Sequence, residues 1–205
     1  SLKAATCEDG KKWTEPFRIC DVRPEITHMA LAPWKEGVLV AWIDGRDTEL
    51  DGLKLRHVRD QQSLGSVYKV MPRRRSPAGV ALASDDQRFF LAWTVRQPGG
   101  CEVQGYISTN LNGAPMPMRL SHKRRLNINP SVELAHGHGW VCWQYMTFKG
   151  GSRIYARRVV DFLTPEDPLE LVGSDGSINT MCTLRRSDDG VWIAWQSDMD
   201  QVKGQ

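Results

Sequence analysis

The amino-acid sequence predicts an all-β protein built from a fourfold repeat. Three observations favour this fold class: apolar runs that end in Trp recur at even spacing, turn-forming residues separate the predicted strands, and no segment has convincing helical periodicity. The chain has 205 residues, of which 40% are hydrophobic and 25% charged, so its composition excludes disordered and collagen-like classes. No apolar run approaches the roughly 18 residues that a membrane-spanning helix needs.

Four apolar runs define the repeat, and each of them ends in a Trp that follows a small residue. The four residues are Trp42, Trp93, Trp143 and Trp195, at steps of 51, 50 and 52 residues. A small residue beside a large one suits a strand that is buried on both faces between closely packed sheets. We therefore expect all four indole rings to lie in the core.

Each repeat contains four predicted strands, A to D in chain order. Strand A begins at a Pro, which fits the first residue of a strand because no ladder donor is needed there, or at an Asn in the fourth copy. A turn leads to strand B, which ends in the Trp, and strand C begins about 11 residues later. An Asp or Asn ends strand C, and an apolar strand D follows it. Four such strands in about 50 residues are typical of a β-propeller blade.

The two ends of the chain supply complementary halves of one blade. Residues 1–20 contain predicted strands C and D, whereas residues 180–205 contain strands A and B. Pairing of these halves closes the ring without a covalent link and removes exposed strand edges. A fragment cut from a larger array is the alternative interpretation. The sequence thus predicts one domain, residues 1–205, that forms a closed four-bladed propeller with four antiparallel strands per blade and blades at 24–71, 77–120, 130–172, and 180–205 plus 1–20.

Two kinds of motif resemble those of known propeller families. Residues 38–46 and 130–159 resemble the repeats of secreted and cell-surface propellers, and this resemblance implies a secreted or cell-surface location. Residues 6–13 resemble the Asp-box of sialidase-type propellers, Ser-x-Asp-x-Gly-x-Thr-Trp, with Thr, Glu and Lys in place of its Ser, Asp and Thr. Propellers host lectins, scaffolds and enzymes alike, so the resemblance implies the fold and leaves the function open.

The sequence contains no complete set of catalytic residues of a known type. Sialidase-type hydrolysis needs an Arg cluster, a Tyr–Glu nucleophile pair and an Asp acid, but no Tyr has a partner that spacing can identify. Nucleophile-elbow and phosphate-loop motifs are absent from the sequence. The segment from His136 to His138 is interpreted as a glycine turn rather than a metal site. The sequence therefore predicts no catalytic residue, no metal, no cofactor and no enzyme activity.

Positive charge is concentrated on one predicted face of the propeller. The D–A and B–C connections emerge on the same face, and those of neighbouring blades carry clusters of Arg and Lys. Clustered Arg side chains bind carboxylate, phosphate or sulfate groups in bidentate fashion. Solvated charge runs without a ligand are the alternative. The predicted ligand-binding residues on this basic face are Arg73, Arg74, Arg75, Lys123, Arg124, Arg125, Lys149 and Arg153.

The five cysteines fit neither a full disulfide framework nor a zinc site, because their number is odd and no CxxC spacing occurs. We expect mostly free thiols. Cys182 on an inner strand is placed to approach Cys142 of the preceding blade. A cross-strand bridge between Cys7 and Cys20 is an alternative, and Cys101 has no predicted partner.

These features together predict a non-catalytic binding or assembly module that presents loops to an anionic partner, either an acidic glycan or an acidic protein surface. Trp13 and Trp34 lie in or next to turns and are predicted to add exposed aromatic contacts. Nucleic acid is not expected as a partner, because no aromatic residues are interleaved with the Arg clusters. The alternatives are a structural subunit of a larger complex, and a sialidase-like glycoside hydrolase or sugar-binding lectin.

Overall fold

The computed structural model describes residues 1–7, 9–20, 26–44, 52–60, 63–72, 77–112, 116–121, 126–147, 150–160, 164–172 and 177–198. Within these ranges the chain folds into β-strands and their connections, and it contains no helix that could cross a membrane. The strands are β1 (Leu2–Ala4), β2 (Phe17–Cys20), β3 (Ile26–Trp34), β4 (Gly37–Asp44), β5 (Gly52–Val58), β6 (Leu64–Pro72), β7 (Pro77–Ser84), β8 (Phe89–Gln97), β9 (Gly100–Ser108), β10 (Met118–Arg119), β11 (Leu126–Ala135), β12 (His138–Met146), β13 (Ser152–Val160), β14 (Thr164–Pro165), β15 (Leu169–Val172), β16 (Ile178–Ser187) and β17 (Gly190–Asp198).

Three units with the predicted A-to-D strand order follow one another along the chain. Blade 1 is the sheet β3-β4-β5-β6, blade 2 combines β7, β8, β9 and β10, and blade 3 combines β11, β12 and β13 with β14 and β15. Neighbouring strands inside each blade are antiparallel. A single parallel bridge between Leu126 and Cys101 joins blade 2 to blade 3. The all-β fold class predicted from the repeat is confirmed.

The two ends of the chain form separate two-stranded sheets. β1 pairs with β2 and β16 pairs with β17, but no pairing joins the two sheets within the described residues. Strand pairing within the described residues therefore does not confirm the predicted closure of the ring, and the described blades are connected as an arc from β1–β2 to β16–β17. Repeat spacing gives the number of strands, whereas closure depends on the angle between successive sheets, which periodicity does not determine.

The blades pack face to face through the Trp of each strand B. Trp42, Trp93 and Trp143 are fully buried in three separate hydrophobic clusters, each formed with the preceding unit. Trp42, for example, shares its cluster with Phe17 of β2. Trp195 occupies the same repeat position but is 38% exposed, contrary to the prediction, because no described strand covers the outer edge of β17.

A β-bulge interrupts the first strand of each unit, at the same repeat position in β7, β11 and β16 and one residue nearer the start of the strand in β3. The pairing register shifts there in β3, β7, β11 and β16. Gly79, Asn129 and Met181 at these bulges have φ angles of 54°, 53° and 55°. Glycine adopts this left-handed conformation at little cost and Asn tolerates it, whereas Met is strained there. The bulges bend the four strands and change where their side chains point.

All five cysteines lie in the described part of the chain, and none forms a disulfide. Cys7 lies in the turn after β1, whereas Cys20 pairs with Leu2 at the other end of the hairpin, so a bridge between them is not formed. Cys142 and Cys182 share a buried cluster. The neighbouring Cys182 and burial raise the pKa of the Cys142 thiol above its usual range.

Candidate functional site

The first strand of each unit lines a central channel. These inner strands, β3, β7, β11 and β16, contact one another in chain order. A cavity of about 370 Å³ lies between them near the A–B turns, and a second cavity of about 200 Å³ adjoins it. The two cavities share Pro33, Ser84 and Arg186. Together they form the channel site, which is lined by Leu31, Ala32, Pro33, Trp34, Lys35, Leu82, Ala83, Ser84, Asp85, Asp86, Glu133, Arg185 and Arg186.

Glu133 places a carboxylate in the wall of the channel site. Its Oε1 accepts a hydrogen bond from the backbone N–H of Leu134 at 3.1 Å, and its Oε2 accepts one from the backbone N–H of Arg186 at 3.4 Å. The side chain therefore reaches from β11 to the edge of β16. Ser131, two residues earlier on the same face of β11, accepts a bond from the N–H of Leu184 at 3.1 Å. Both contacts fix β16 against β11.

Glu133 was not predicted as a site residue from the sequence, although the residue types at its repeat position could have indicated it. At the equivalent repeat position β3 has Ala32 and β7 has Ala83, whereas β11 has Glu133 and β16 has Arg185. Small residues on two inner strands and charged residues on the other two leave a space with polar groups on one side. The channel site results from this asymmetry.

Asp85 is a carboxylate at the channel site that is already used by the fold. Its Oδ1 accepts hydrogen bonds from the backbone N–H groups of Gln87 and Arg88 at 3.0 and 2.7 Å, and its Oδ2 pairs with Arg88 Nε at 2.7 Å. Burial acts to raise the pKa of Asp85, but these hydrogen bonds outweigh it and hold the pKa below its usual range. Asp85 thus remains ionised and stabilises the turn between β7 and β8.

Trp34 is only 4% exposed, so its prediction as an exposed aromatic contact is wrong. It is the last residue of β3 rather than part of the turn, and its ring packs edge-on against His57 and Phe89 at centroid distances of 5.2 and 5.5 Å. Lys35 covers the ring with its Nζ 4.2 Å from the centroid. Trp13, by contrast, is 68% exposed in the loop between β1 and β2.

The structure brings together a Tyr–Glu pair that spacing could not identify. Tyr155 on β13 donates its hydroxyl to Glu170 Oε2 at 2.6 Å, and Arg153 Nη1 contacts both oxygens of Glu170 at 3.0 and 3.1 Å. Burial, together with the negative charge of Glu170, raises the pKa of Tyr155 to about 12. The ring stacks on Trp143 and meets Tyr145 edge-on, away from the channel site. This arrangement favours a structural role over nucleophilic catalysis.

The predicted basic face is described at one residue only. Arg153 lies at the start of β13, where Glu170 already serves as its carboxylate partner. The other predicted residues of the basic face lie outside the described ranges, and they are Arg73, Arg74, Arg75, Lys123, Arg124, Arg125 and Lys149. The basic face therefore stays a prediction.

The turn between β11 and β12 has the conformation expected of a glycine hairpin. His136 and Gly137 have φ angles of 52° and 78°, as a two-residue turn with two left-handed positions requires. Within the described ranges, no three His, Cys, Asp or Glu side chains are close enough to hold a metal ion together.

Comparisons with known proteins identify the fold. Neither a protein-family model nor a curated protein matches the sequence. A thermostable family-43 glycoside hydrolase is similar in structure, with a TM-score of 0.58 and 10% identity over 85% of this chain and 64% of that one. An endo-arabinase from Bacteroides thetaiotaomicron gives 0.51 and 16% over 82% and 68%, and the phage phi92 endosialidase gives 0.58 and 9% over 86% and 32%. The chain spans a third to two thirds of these proteins, and its fold is that of a β-propeller.

The comparisons contradict the predicted function class. These three similar propellers are a glycoside hydrolase, an endo-arabinase and an endosialidase, and none is a non-catalytic module for an anionic partner. The expectation that the protein is not an enzyme is contradicted by the same finding. The alternative kept from the sequence, a sialidase-like glycoside hydrolase or sugar-binding protein, is the one that these structures favour.

Proposed function

We propose that this protein is a carbohydrate-active β-propeller of the glycoside hydrolase type, with sugar bound in the channel site. The observation that carries the proposal is a carboxylate, Glu133, in the wall of a cavity between the inner strands of a fold shared with carbohydrate-active enzymes. A cavity of about 370 Å³ that combines apolar walls with a few polar groups has the size and lining of a small-ligand site.

Hydrolysis of a glycosidic bond requires two carboxyl groups beside the sugar, one of which must exchange a proton with it. Asp85 does not suit this role, because its ion pair with Arg88 and the N–H groups of the turn hold its pKa below the usual range and keep it ionised. Glu133 and Asp86 form no ion pair with any described residue, and they line the two joined cavities. We assign these two carboxylates to the reaction, with Arg185 and Arg186 as hydrogen-bond donors to the sugar hydroxyls.

The test is hydrolysis of a panel of arabinosides, xylosides and sialosides, with release of the sugar as the readout. We expect activity in the wild-type protein and a loss of at least about 100-fold in Glu133→Gln and in Asp86→Asn, since acid–base groups contribute that much. Glu36→Gln, a change at an exposed carboxylate on the turn after β3, is the matched control and should keep full activity. An inactive wild type, or a fully active Glu133→Gln, would overturn the proposal.

We also propose that the ring is closed as the sequence predicts, with β1–β2 completing the blade that β16–β17 begins. The support is the exposure of apolar side chains at both ends of the arc. Trp192 is 72% exposed on β17, whereas Phe90, at the same repeat position in blade 2, is fully buried. Leu31 is 59% exposed on β3, whereas its equivalent Leu184 is fully buried. Inside the arc these two positions face each other across every junction between blades.

A further inference from the structure

We propose that the loop between β1 and β2 is a second sugar-binding site, which holds a neutral sugar ring against the exposed indole of Trp13. This inference rests on the proposed function, because it takes a glycan as the ligand. It extends that function by assigning a place where a polysaccharide chain is held outside the channel site. The substrate class that it favours is a neutral polymer rather than a short glycoside.

The indole of Trp13 is presented by a rigid hairpin. Trp13 bridges to Cys7 in antiparallel fashion, and the adjacent N–H of Thr14 donates to the carbonyl of Thr6 at 2.9 Å. The N–H of Thr6 donates in turn to Thr14 Oγ1 at 3.0 Å. The backbone on both sides of the indole is therefore fixed before any ligand binds, which lowers the entropy lost on binding. A large aromatic ring held in solvent is unusual unless it contacts a partner.

Asp9 shapes the tip of the hairpin and remains charged. Its Oδ1 accepts hydrogen bonds from the backbone N–H groups of Lys12 and Lys11 at 2.9 and 2.8 Å. These bonds, that of Lys12 first, hold the pKa of Asp9 below its usual value. These bonds fix the turn, and Asp9 stands one residue later than the Asp of the Asp-box motif. The Asp9 carboxylate is a permanent acceptor at neutral pH.

The cavity beside the indole has a lining that matches a sugar. It measures about 380 Å³ and is lined by Thr6, Asp9, Lys12, Trp13 and Thr14. A sugar ring has an apolar C–H face, which an indole covers, and a rim of hydroxyls that both donate and accept hydrogen bonds. The carboxylate of Asp9 accepts from such hydroxyls, the ammonium of Lys12 donates to them, and the threonine hydroxyls do both.

The charge of this site selects a neutral ligand. The residues that line the cavity include one carboxylate, Asp9, and one ammonium, Lys12, so they have no net charge. A polyanion would have no net electrostatic attraction to this lining, and Asp9 would repel its phosphate or carboxylate groups. The site therefore differs from the basic face predicted from the sequence, both in its residues and in the chemistry that it recognises.

The experiment is affinity electrophoresis in gels that contain soluble arabinan, xylan or a mixed-linkage β-glucan. We expect at least one of these neutral polysaccharides to retard the wild-type protein, and Trp13→Ala to weaken that binding at least about tenfold. Trp13→Phe should retain part of it. The matched control is Met116→Ala, which removes a 91% exposed apolar side chain from the connection between β9 and β10 and should bind like the wild type. Circular dichroism should be unchanged in all variants.

Two further measurements separate this inference from the proposed function. Glu133→Gln should keep its polysaccharide binding while it loses hydrolysis, and Trp13→Ala should keep full hydrolysis of a short glycoside. If no hydrolysis is found but binding depends on Trp13, the second site stands and the catalytic proposal fails. Undiminished binding by Trp13→Ala, an equal loss in Met116→Ala, or no binding of any of the three polysaccharides by the wild type would overturn the second site.

Discussion

The three buried tryptophans of the repeat differ in the hydrogen bonding of their indole N–H groups. Trp42 Nε1 donates to Asp44 Oδ2 at 3.2 Å on its own strand, and Trp143 Nε1 donates to Asn127 Oδ1 at 2.9 Å on the neighbouring inner strand. Trp93 Nε1 is buried and has no hydrogen-bond partner among the described residues. A buried N–H without an acceptor costs free energy, and Trp34 in blade 1 and Trp140 in blade 3 share this cost with Trp93, because their Nε1 atoms are also buried without a partner among the described residues.

Asn127 connects two blades through one side chain. Its Nδ2 donates to the carbonyl of Cys101 in blade 2 at 3.0 Å, while its Oδ1 accepts from Trp143 in blade 3. Asn179 repeats half of this arrangement, because its Nδ2 donates to the carbonyl of Ser152 at 2.8 Å. An Asn at the start of an inner strand is thus a link between neighbouring blades.

We predict that Asn127→Ala lowers the free energy of unfolding by about 2 kcal/mol or more, because it leaves the Trp143 N–H and the Cys101 carbonyl buried without their partner. Urea unfolding followed by Trp fluorescence measures the change. Asn110→Ala, at an exposed turn after β9, is the control and should alter stability little. A loss equal to that of the control would show that the inter-blade bonds contribute little.

At the scale of elements, the junction between β12 and β16 contains two buried thiols in one cluster. Cys142 occupies the position before the Trp of strand B, and Cys182 follows the bulge of the next inner strand. Cys182 Sγ also lies 3.8 Å from the carbonyl of Asn129 on β11. The junction therefore brings cysteines of two neighbouring units into one buried cluster.

We predict that a disulfide oxidant such as diamide joins Cys142 to Cys182. Each thiol loses one proton and one electron to the azo group of the reagent, which is reduced to the hydrazine. The product should lose about two mass units and unfold at a higher temperature, because the new bond restricts the unfolded chain. Intact mass and thermal melting, with and without dithiothreitol, measure both effects. Cys101→Ser should behave like the wild type, whereas a Cys142→Ser variant that still gains stability would contradict the assignment.

At the scale of the whole molecule, the sequence predicted what depends on local pattern. Strand positions followed from apolar runs and turn residues, because these act within a few residues of one another. The predicted exposure of Trp34 and the predicted burial of Trp195 were wrong, because the burial of each ring depends on strands distant in sequence: Phe89 covers Trp34, whereas no described strand covers the outer edge of β17 beside Trp195. The channel site escaped prediction for the same reason: Glu133 meets Arg186 only when β11 and β16 lie side by side.

The proposed closure makes a prediction for the whole ring. If β1–β2 completes the last blade, Trp192 becomes buried at a junction, and Trp192→Ala should lower the melting temperature by several degrees, as core truncations do. Amide hydrogen exchange should also be slow along both edges of β17. Rapid exchange on its outer edge, together with an unchanged melting temperature, would show that the arc stays open. Met116→Ala serves again as the surface control.

The hydrogen bond from the Arg186 backbone N–H to Glu133 couples ligand binding in the channel site to the attachment of β16. The contact, at 3.4 Å, is long for a bond to a carboxylate, so it is readily exchanged for a shorter one from a hydroxyl. Any ligand that hydrogen-bonds to Glu133 Oε2 competes with the backbone N–H of Arg186 on β16. Ligand binding in the cavity therefore weakens the attachment of β16 to β11. A stronger attachment of β16 lowers the affinity for the ligand to the same extent, because linkage acts equally in both directions.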